Sequence, residues 1–367
     1  RKSVPPDKTP RCRQDLSNGF RTARRSARTS GKVTATTRHL KTLLPGQRLR
    51  KKVARSVPPS CFSCAIILLR AHLECIIYLY GLRIRQLRRK QKQASMEDIN
   101  LNEPEKIGDS LLHLKELISG EESLDCPKDD RFLLKFLRAR KYDADAAFKT
   151  IQKYFRARQS YPAIFSEFSP SRMLYDTIMR QNKLLAVSSK RDGLGRPVLL
   201  VKTGAWDTSI CTLDEFTKAC LILAEWLLLN EEVQKRGIVC VFDYKGLGLH
   251  HLTQFTPFAV QRLIHVVQDC YPLRVKAVYV VNSPPIFDML FPIAKTFLKS
   301  KLIHRVHLFG ADLAKLHDVV PEDMIPEEAG GTHESYDYDK LEKDLLSHCD
   351  YFEEVNRYGY GKESTHC

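Results

Sequence analysis

Two apolar segments rich in β-branched residues, GIVCVFDY at 237–244 and VKAVYVVN at 275–282, flank a helical stretch at 253–270. Each segment has the length of one strand, and its nearly continuous apolar character is typical of strands covered on both faces. Strands that alternate with helices in this way pair in parallel through long crossovers. The sequence therefore predicts an α/β domain with a mostly parallel sheet.

Helical patterns surround this sheet and predict a small helical domain before it. Residues 107–118 and two segments between 126 and 162 have helical periodicity, and Asp129 or Asp130, then Asp143, are placed to cap the last two helices. Their apolar stripes are Phe132, Leu133, Phe136 and Leu137, then Ala147, Ile151, Tyr154 and Phe155. The opposite face of the first stripe is Arg131, Lys135 and Arg138. The other predicted elements are a hairpin at 183–206, helices at 213–230, 285–299 and 336–357, a strand near 304–310 and a frayed end at 359–367.

The positive charge of the chain is concentrated in residues 1–95, which contain 24 Lys and Arg against 3 acidic residues, whereas the rest contains 35 against 40. Because the charge belongs to one segment, we expect no nucleic-acid partner. Residues 1–60 lack apolar periodicity and have too little hydrophobic surface to fold. We favour the interpretation that residues 1–95 are upstream sequence, read through in frame before a natural start at Met96. The alternatives are a basic targeting arm and a signal anchor at 61–80.

No residue pattern for catalysis accompanies these elements. The sequence contains no GxSxG, HExxH or P-loop motif, and no GxGxxG between a strand and a helix. His250-His251 is expected to be a solvated loop pair, and Asp243 a structural acceptor. We therefore expect a protein that is not an enzyme and that has no cofactor and no metal site. The seven cysteines after Met96 are scattered, which favours reduced thiols in the cytoplasm over a disulfide framework.

The helices predicted at 213–230 and 285–299 are apolar on more than one face. Such a helix is either buried inside a large core or lines a cavity filled by an apolar ligand. The residues alone leave both alternatives open for each helix.

Two pairs of cations lie close to the second strand. Arg274 and Lys276 are two residues apart at its start, so they point to the same face. Lys301 and Arg305 are four residues apart and share a face if the chain is helical there. Like charges arranged in this way are either solvated or placed to bind an anion.

Five segments in register carry a resemblance to a known family. They are FLLKFLRARKYDADAAF, GRPVLLVKTGAWD, FDYKGLGLHHLTQFTP, YPLRVKAVYVVNSPPIFDMLFPIAKTFLKSKL and PEEAGG. In this order they resemble the CRAL-TRIO lipid-transfer family, in its tocopherol- and retinaldehyde-binding branch, over residues 105–355. The resemblance implies an N-terminal domain of three helices and an α/β lipid-binding domain. It also implies that the pocket is closed by a mobile gate, the apolar helix after Pro284-Pro285.

The resemblance further implies two sets of ligand-contacting residues. A basic cleft for the headgroup of phosphatidylinositol bisphosphate would comprise Arg140, Arg274, Lys276, Lys301 and Arg305. The hydrophobic pocket would comprise Cys220, Ala224, Ile238, Phe242, Val266, Leu273 and Val275, with Ile286, Leu290 and Ile293 on the gate. Tocopherol-binding relatives have serines at the positions of Cys220 and Ala224, so a drier pocket is expected here. Leu273, Val275 and Ala277 would face the pocket, with Arg274 and Lys276 on the other side of the strand.

We therefore expect a cytoplasmic, monomeric carrier of one hydrophobic ligand, such as a retinoid or a tocopherol-like lipid, that exchanges cargo during transient contact with membranes containing phosphatidylinositol bisphosphate. The alternatives are a phosphatidylinositol or phosphatidylcholine exchange protein and a lipid-sensing regulatory module without transfer activity. The expected divisions are a basic segment at 1–95, disordered or non-native, a helical domain at 96–175, the lipid-binding domain at 176–335, and a C-terminal helix and tail at 336–367.

Overall fold

The computed structural model describes residues 107–361. The interpretations of residues 1–95 and of the start at Met96 therefore lie outside the described residues, as does the predicted end at 362–367. The first described part is helical. Its elements are α1 (Ile107–Ser119), β1 (Leu124–Asp125), α2 (Asp130–Ala139), α3 (Ala144–Ser160) and α4 (Pro162–Phe165).

Both helix caps predicted in this part are present. Asp129 precedes α2, and its carboxylate accepts a hydrogen bond of 2.9 Å from the backbone N–H of Phe132. Asp143 precedes α3 and accepts a hydrogen bond of 2.9 Å from the backbone N–H of Ala146. Each carboxylate satisfies an N–H that lacks an intrahelical partner. The apolar stripes predicted for the two helices are buried along their whole length.

The sheet that follows has five strands in the order β2–β3–β4–β5–β6. They are β2 (Leu185–Val187), β3 (Val198–Val201), β4 (Ile238–Asp243), β5 (Val275–Val281) and β6 (Val306–Gly310). β2 and β3 form the predicted antiparallel hairpin, and the pairings from β3 to β6 are parallel. The α/β fold with a mostly parallel sheet is thus confirmed.

Helices between and after the strands complete the fold. They are α5 (Leu213–Leu227), α6 (Glu231–Arg236), α7 (Leu249–Leu252), α8 (Pro257–His265), α9 (Phe287–Phe297), α10 (Ser300–Ile303), α11 (Leu313–His317), α12 (Tyr338–Leu346) and α13 (Cys349–Arg357). The helix predicted at 253–270 begins later, and α8 continues into a π-helical turn, Val266–Cys270. The helix predicted at 336–357 is two helices, since the side chains of Ser347 and His348 each bond to the Asp344 carbonyl at 2.7 Å and compete with backbone donors.

The end predicted to be frayed is ordered at Gly359–Tyr360, which forms β7. β7 pairs antiparallel with β1, with Leu124 opposite Tyr360. The guanidinium of Arg156 lies 4.9 Å from the centre of the Tyr360 ring. The prediction was wrong here because the partner strand lies near the other end of the described residues.

The predicted polar face of α2 is wrong for two of its three residues, Lys135 and Arg138, which are 2% and 6% exposed. Lys135 Nζ lies 2.6 Å from Glu225 Oε1 on α5 and 2.7 Å from the hydroxyl of Tyr351 on α13. Arg138 donates a hydrogen bond of 2.6 Å to Gln234 on α6. α2 is therefore covered on both faces, and Lys135 and Arg138 bond to side chains of α5, α6 and α13.

The prediction of a solvated histidine pair is wrong for His251, which is fully buried. The backbone N–H of Gly248 donates to His251 Nδ1 at 3.0 Å, and His251 Nε2 is 2.8 Å from the carbonyl of Trp206. Nδ1 is thus an acceptor, so Nε2 carries the proton and donates to Trp206. Burial lowers the pKa of this imidazole. His251 holds the segment after β4 against the loop of Trp206.

Candidate functional site

α9, the predicted gate helix, packs on one face of the sheet but is poorly buried. Among its 11 residues Phe287 alone is buried, and Met289 is 63% exposed. This exposure excludes one of the two alternatives that the sequence left open for this helix, namely burial inside the main core. An apolar helix with this exposure carries surface that folded proteins usually cover with another molecule.

A small apolar cluster lies beneath α9 and is separate from the main core. Its buried members are Leu247, Val280 and Phe287. The ring of Phe287 is 4.7 Å from that of Tyr244, measured between centres. The partly buried side chains that pack on the cluster include Ile286 and Leu290 of the predicted gate set and Phe242, Val278 and Val306 of the strands. The structure thus brings Phe242, Ile286 and Leu290 together.

Two side chains of this region combine strong desolvation with accessible surface. Burial raises the pKa of Cys220 on α5 to about 12 and that of Tyr244 after β4 to about 12. Both side chains nevertheless keep part of their surface accessible. Cys240 lies near Cys220 and pairs with Val278, so Cys220 lies on the sheet face under α9.

Most other residues of the predicted pocket lie in well-packed surroundings. Ile238, Val266 and Val275 belong to the main core, and Ala224 is also buried. Leu273 is partly buried against the main core. Ile293 on α9 is half-buried. The predicted pocket set is therefore divided between the main core and the region under α9.

The register of β5 shows which of its side chains lie under α9. Val280 pairs with Phe242 on one side and Leu308 on the other, and Val278 occupies the preceding row. Alternation along the strand places Lys276 in line with Val278 and Val280. The side chains under α9 therefore alternate along the strand with Leu273, Val275 and Ala277, which were predicted to face the pocket, and the two sets point to opposite faces of β5. The register shift beside Ile238 accompanies this change.

Three of the predicted headgroup residues lie at the amino-terminal edge of β5 and β6. The Arg274 guanidinium donates a hydrogen bond of 2.7 Å to the carbonyl of Lys235, and that of Arg305 donates to a carbonyl of β5. Gly237 has a φ of 78°, and a Cβ there would lie 2.2 Å from the Arg274 oxygen and 2.9 Å from Lys276 Cγ. Glycine at 237 therefore permits the close approach of both cationic residues to β4.

Lys301 and Arg140 approach this edge from neighbouring elements. Lys301 is exposed on α10, four residues before Arg305. Arg140 follows α2, and its Nε donates a hydrogen bond of 2.7 Å to Thr150 Oγ1. Burial lowers the pKa of Arg140, and the carboxylate of Asp269, in the turn before β5, opposes this shift. The five cations are thus distributed around the start of β5 and β6.

Sequence reasoning missed a polar connection at the carboxyl end of α9. Lys299 Nζ bonds to the carboxylate of Asp269, and the backbone N–H of Lys299 donates a hydrogen bond of 2.7 Å to Gln268 Oε1. The partners are about thirty residues apart, and no motif signals their pairing. The one sequence feature that draws attention to Lys299 is its position two residues before Lys301, a predicted headgroup residue.

Two surface clefts adjoin these regions. One of about 440 Å³ lies between α8 and the end of α9 and is lined by residues that include Tyr161, Phe258, Arg262, Asp269 and Phe297. The other, of about 510 Å³ at the carboxyl ends of β4 and β5, is lined by residues that include Asp243, Lys245, Asn282, Ser283 and Glu328. Within residues 107–361, no group of three or more His, Cys, Asp or Glu side chains is arranged to hold a metal ion. None of the helices in that range has the length and apolarity to cross a bilayer.

The described residues form an α/β fold in which a helical region precedes a mostly parallel sheet and an incompletely buried apolar helix lies over one sheet face. This architecture is the class of protein to which the chain belongs. Family models assign the same class: the CRAL/TRIO domain matches residues 181–331, and the CRAL/TRIO N-terminal domain matches residues 103–153. The chain belongs to the CRAL/TRIO family of lipid-binding and transfer proteins.

Relatives of known sequence agree with this assignment. The chain is 41% identical to "Alpha-tocopherol transfer protein-like" of Mus musculus over 204 residues, which cover 56% of this chain and 59% of the relative. It is 30% identical to "Clavesin-2" of Rattus norvegicus over 220 residues, which cover 60% of this chain and 67% of the relative. A solved structure, "Crystal structure of Sfh5", has a TM-score of 0.46 and 16% identity over 68% of this chain and 90% of that one. The match thus spans about three fifths of the mouse relative's own length.

Proposed function

We propose that this protein carries one hydrophobic ligand, such as a retinoid or a tocopherol-like lipid, and that it is not an enzyme. The observation that carries the proposal is α9, an apolar helix with one buried residue among 11, which packs through Phe287 on an apolar cluster of the sheet face beneath it. A ligand held between α9 and the strand row beneath it would cover apolar surface of both, and that burial is worth about 25 cal/mol per Å².

Three exposed apolar side chains support exchange of the cargo at a membrane. Leu249 on α7, Phe258 on α8 and Met289 on α9 are 75%, 69% and 63% exposed. α8 packs against α9, so two of these side chains belong to adjoining helices. Apolar side chains displayed in this way enter the boundary between headgroups and acyl chains. We therefore propose a cytoplasmic protein with transient membrane contact on the side of α9.

The cations at the amino-terminal edge of the sheet favour phosphatidylinositol bisphosphate as the membrane ligand. Arg274, Lys276 and Arg305 lie at the start of β5 and β6, with Lys301 and Arg140 next to them. Phosphate oxygens form strong charge-assisted hydrogen bonds with lysine, and bidentate ones with arginine. Binding would promote release of cargo to the extent that the headgroup has a higher affinity for the protein with α9 displaced.

Mass spectrometry of lipids extracted from natively purified protein tests the carrier proposal. Recovery of one retinoid or isoprenoid lipid supports it. Recovery of phosphatidylinositol or phosphatidylcholine instead indicates phospholipid exchange and contradicts the cargo class. A protein that binds a lipid but does not move it between vesicles is a regulatory module. Protein purified without any apolar ligand and unable to bind one refutes the carrier proposal altogether.

Vesicle binding tests the headgroup assignment. We expect Arg274→Ala combined with Lys301→Ala to weaken binding to vesicles containing phosphatidylinositol bisphosphate by about a hundredfold or more, because two charged hydrogen bonds worth about 1.5–3 kcal/mol each are lost. Cargo binding should persist. Lys340→Ala combined with Arg357→Ala is the matched control, since it removes the same two charges from exposed positions of α12 and α13. Equal loss of binding in both double variants at low salt contradicts the assignment.

We propose that the chain is divided into a helical domain at 96–175, a lipid-binding domain at 176–335 and a C-terminal helix and tail at 336–367. We also propose that it acts as a monomer. Light scattering after size exclusion should give the mass of one chain, and a stable dimer contradicts the monomer.

A further inference from the structure

The carboxyl end of α9 is held by two polar residues of the π-helical turn Val266–Cys270. Gln268 contacts it twice: its Oε1 accepts from the backbone N–H of Lys299 at 2.7 Å, and its Nε2 donates to the carbonyl of Phe297 at 3.4 Å. Asp269 forms an ion pair with Lys299 Nζ. These contacts fasten the last turn of α9 to the segment that leads into β5.

Lys299 occupies a short hinge. α9 ends at Phe297 and α10 begins at Ser300, and the two residues between them, Leu298 and Lys299, have extended backbones with ψ of 132° and 145°. Rotation about these residues would move α9 without disturbing α10 or β6. Lys301, a predicted headgroup residue, is two positions further on. The hinge therefore joins the predicted gate directly to the basic region.

Asp269 is an anion placed among these cations. Its side chain is 15% exposed, whereas that of Lys299 is 62% exposed. Burial alone would raise the pKa of Asp269, but hydrogen bonds from Lys299 and Gln268 bring it below its ordinary value. The same carboxylate also attracts the positive charges of Arg140 and Lys153. A phosphate that approached Arg140 would therefore meet the negative charge of Asp269.

We propose that Lys299 is a further headgroup-binding residue and that it exchanges the carboxylate of Asp269 for a phosphate, which releases the carboxyl end of α9. This inference rests on the proposed function, because it needs a polyphosphorylated headgroup in the basic cleft. Phosphate carries more charge than a carboxylate and accepts charge-assisted hydrogen bonds. Lys299 can bind it only after leaving Asp269, so the headgroup has higher affinity for the released state.

Hydrogen–deuterium exchange of the full chain tests the inference without knowledge of the cargo. The probe is dioctanoyl phosphatidylinositol 4,5-bisphosphate, with inositol 1,4,5-trisphosphate and inorganic phosphate as separate arms that distinguish a lipid from a free anion. We expect the probe to speed exchange at 287–299 in the wild-type protein. Asp269→Asn should speed it about two- to fivefold without probe, the effect of losing a partly exposed ion pair, and the probe should add little more.

Two further variants sharpen the test. Lys299→Gln should loosen residues 287–299 and also weaken probe binding several-fold, whereas Lys295→Gln, an exposed lysine within α9, should do neither. Unchanged exchange in strand 238–243 shows that each variant is folded. If the wild-type protein binds the probe but Asp269→Asn exchanges like it in every condition, the inference is wrong and the proposed function stands. If the wild-type protein does not bind the probe, the headgroup assignment fails together with the inference.

Discussion

Lys135 and Glu225 form an ion pair that solvent hardly reaches, and replacing Glu225 by Gln measures what the pair contributes to stability. The two side chains are 3% and 1% exposed, with Nζ 2.6 Å from Oε1. The ammonium also donates to the Tyr351 hydroxyl at 2.7 Å and lies 4.2 Å from the centre of the Phe132 ring. The pair therefore connects the N-terminal helices, the α/β domain and the C-terminal helix.

Glu225→Gln leaves a buried ammonium without a counter-charge. Burial lowers the pKa of Lys135, and the Glu225 carboxylate opposes this shift. The carboxylate therefore stabilises the protonated form of the buried lysine. Removing one partner of a buried pair costs about 3–5 kcal/mol in the free energy of unfolding. Typical total stabilities are about 5–15 kcal/mol, so we expect a large fall in the urea midpoint.

The matched control is the ion pair Lys115–Asp130, which has the same 2.6 Å separation but side chains 36% and 57% exposed. Asp130→Asn should cost no more than about 1 kcal/mol. Urea unfolding followed by circular dichroism measures both variants. A loss from Glu225→Gln no larger than that from Asp130→Asn refutes the reasoning. Lys135→Met combined with Glu225→Leu should recover most of the loss, because no charge then remains buried.

Two other predictions concern His251 and α9. Burial lowers the pKa of His251 below its unfolded value of about 6.5; its contribution to stability is therefore complete above that pH and is lost as the pH falls through the folded pKa. Between about pH 7 and pH 5 the wild-type protein should lose more stability than His251→Asn, and parallel pH profiles contradict this. Phe287→Ala should cost about 3 kcal/mol of local stability and raise the deuterium uptake of residues 287–297. Met289→Ala, at a site 63% exposed, should leave that uptake unchanged. Equal uptake in both variants contradicts the anchoring role of Phe287.

Features that depend on near neighbours were predictable from the sequence. Asp129 and Asp143 cap their helices because a carboxylate three residues before a backbone N–H can reach it whatever surrounds the helix. The strands at 238–243 and 275–281 were recognisable from their continuous apolar residues. The resemblance in the sequence segments likewise pointed to the family that the domain models assign.

Burial of charged residues was not predictable from helical periodicity. Lys135 lies on the polar side of its helix by spacing, yet it is buried because Glu225, 90 residues away, supplies the counter-charge. His251 has a polar neighbour and a loop context, but the carbonyl of Trp206 reaches it from 45 residues away. In both cases the deciding partner belongs to another element.

The sequence by itself determined most of the helices, the five strands of the sheet, their mostly parallel pairing and the positions of the cations, because each follows from periodicity, capping or motif within a short segment. Only the tertiary structure decided that α9 is half-exposed, that the strand row under it contains Val278 and Val280, and that Lys299 pairs with Asp269. Those facts depend on how distant segments pack. A side chain's exposure and its charge partner are properties of the assembled fold, and local spacing does not contain them.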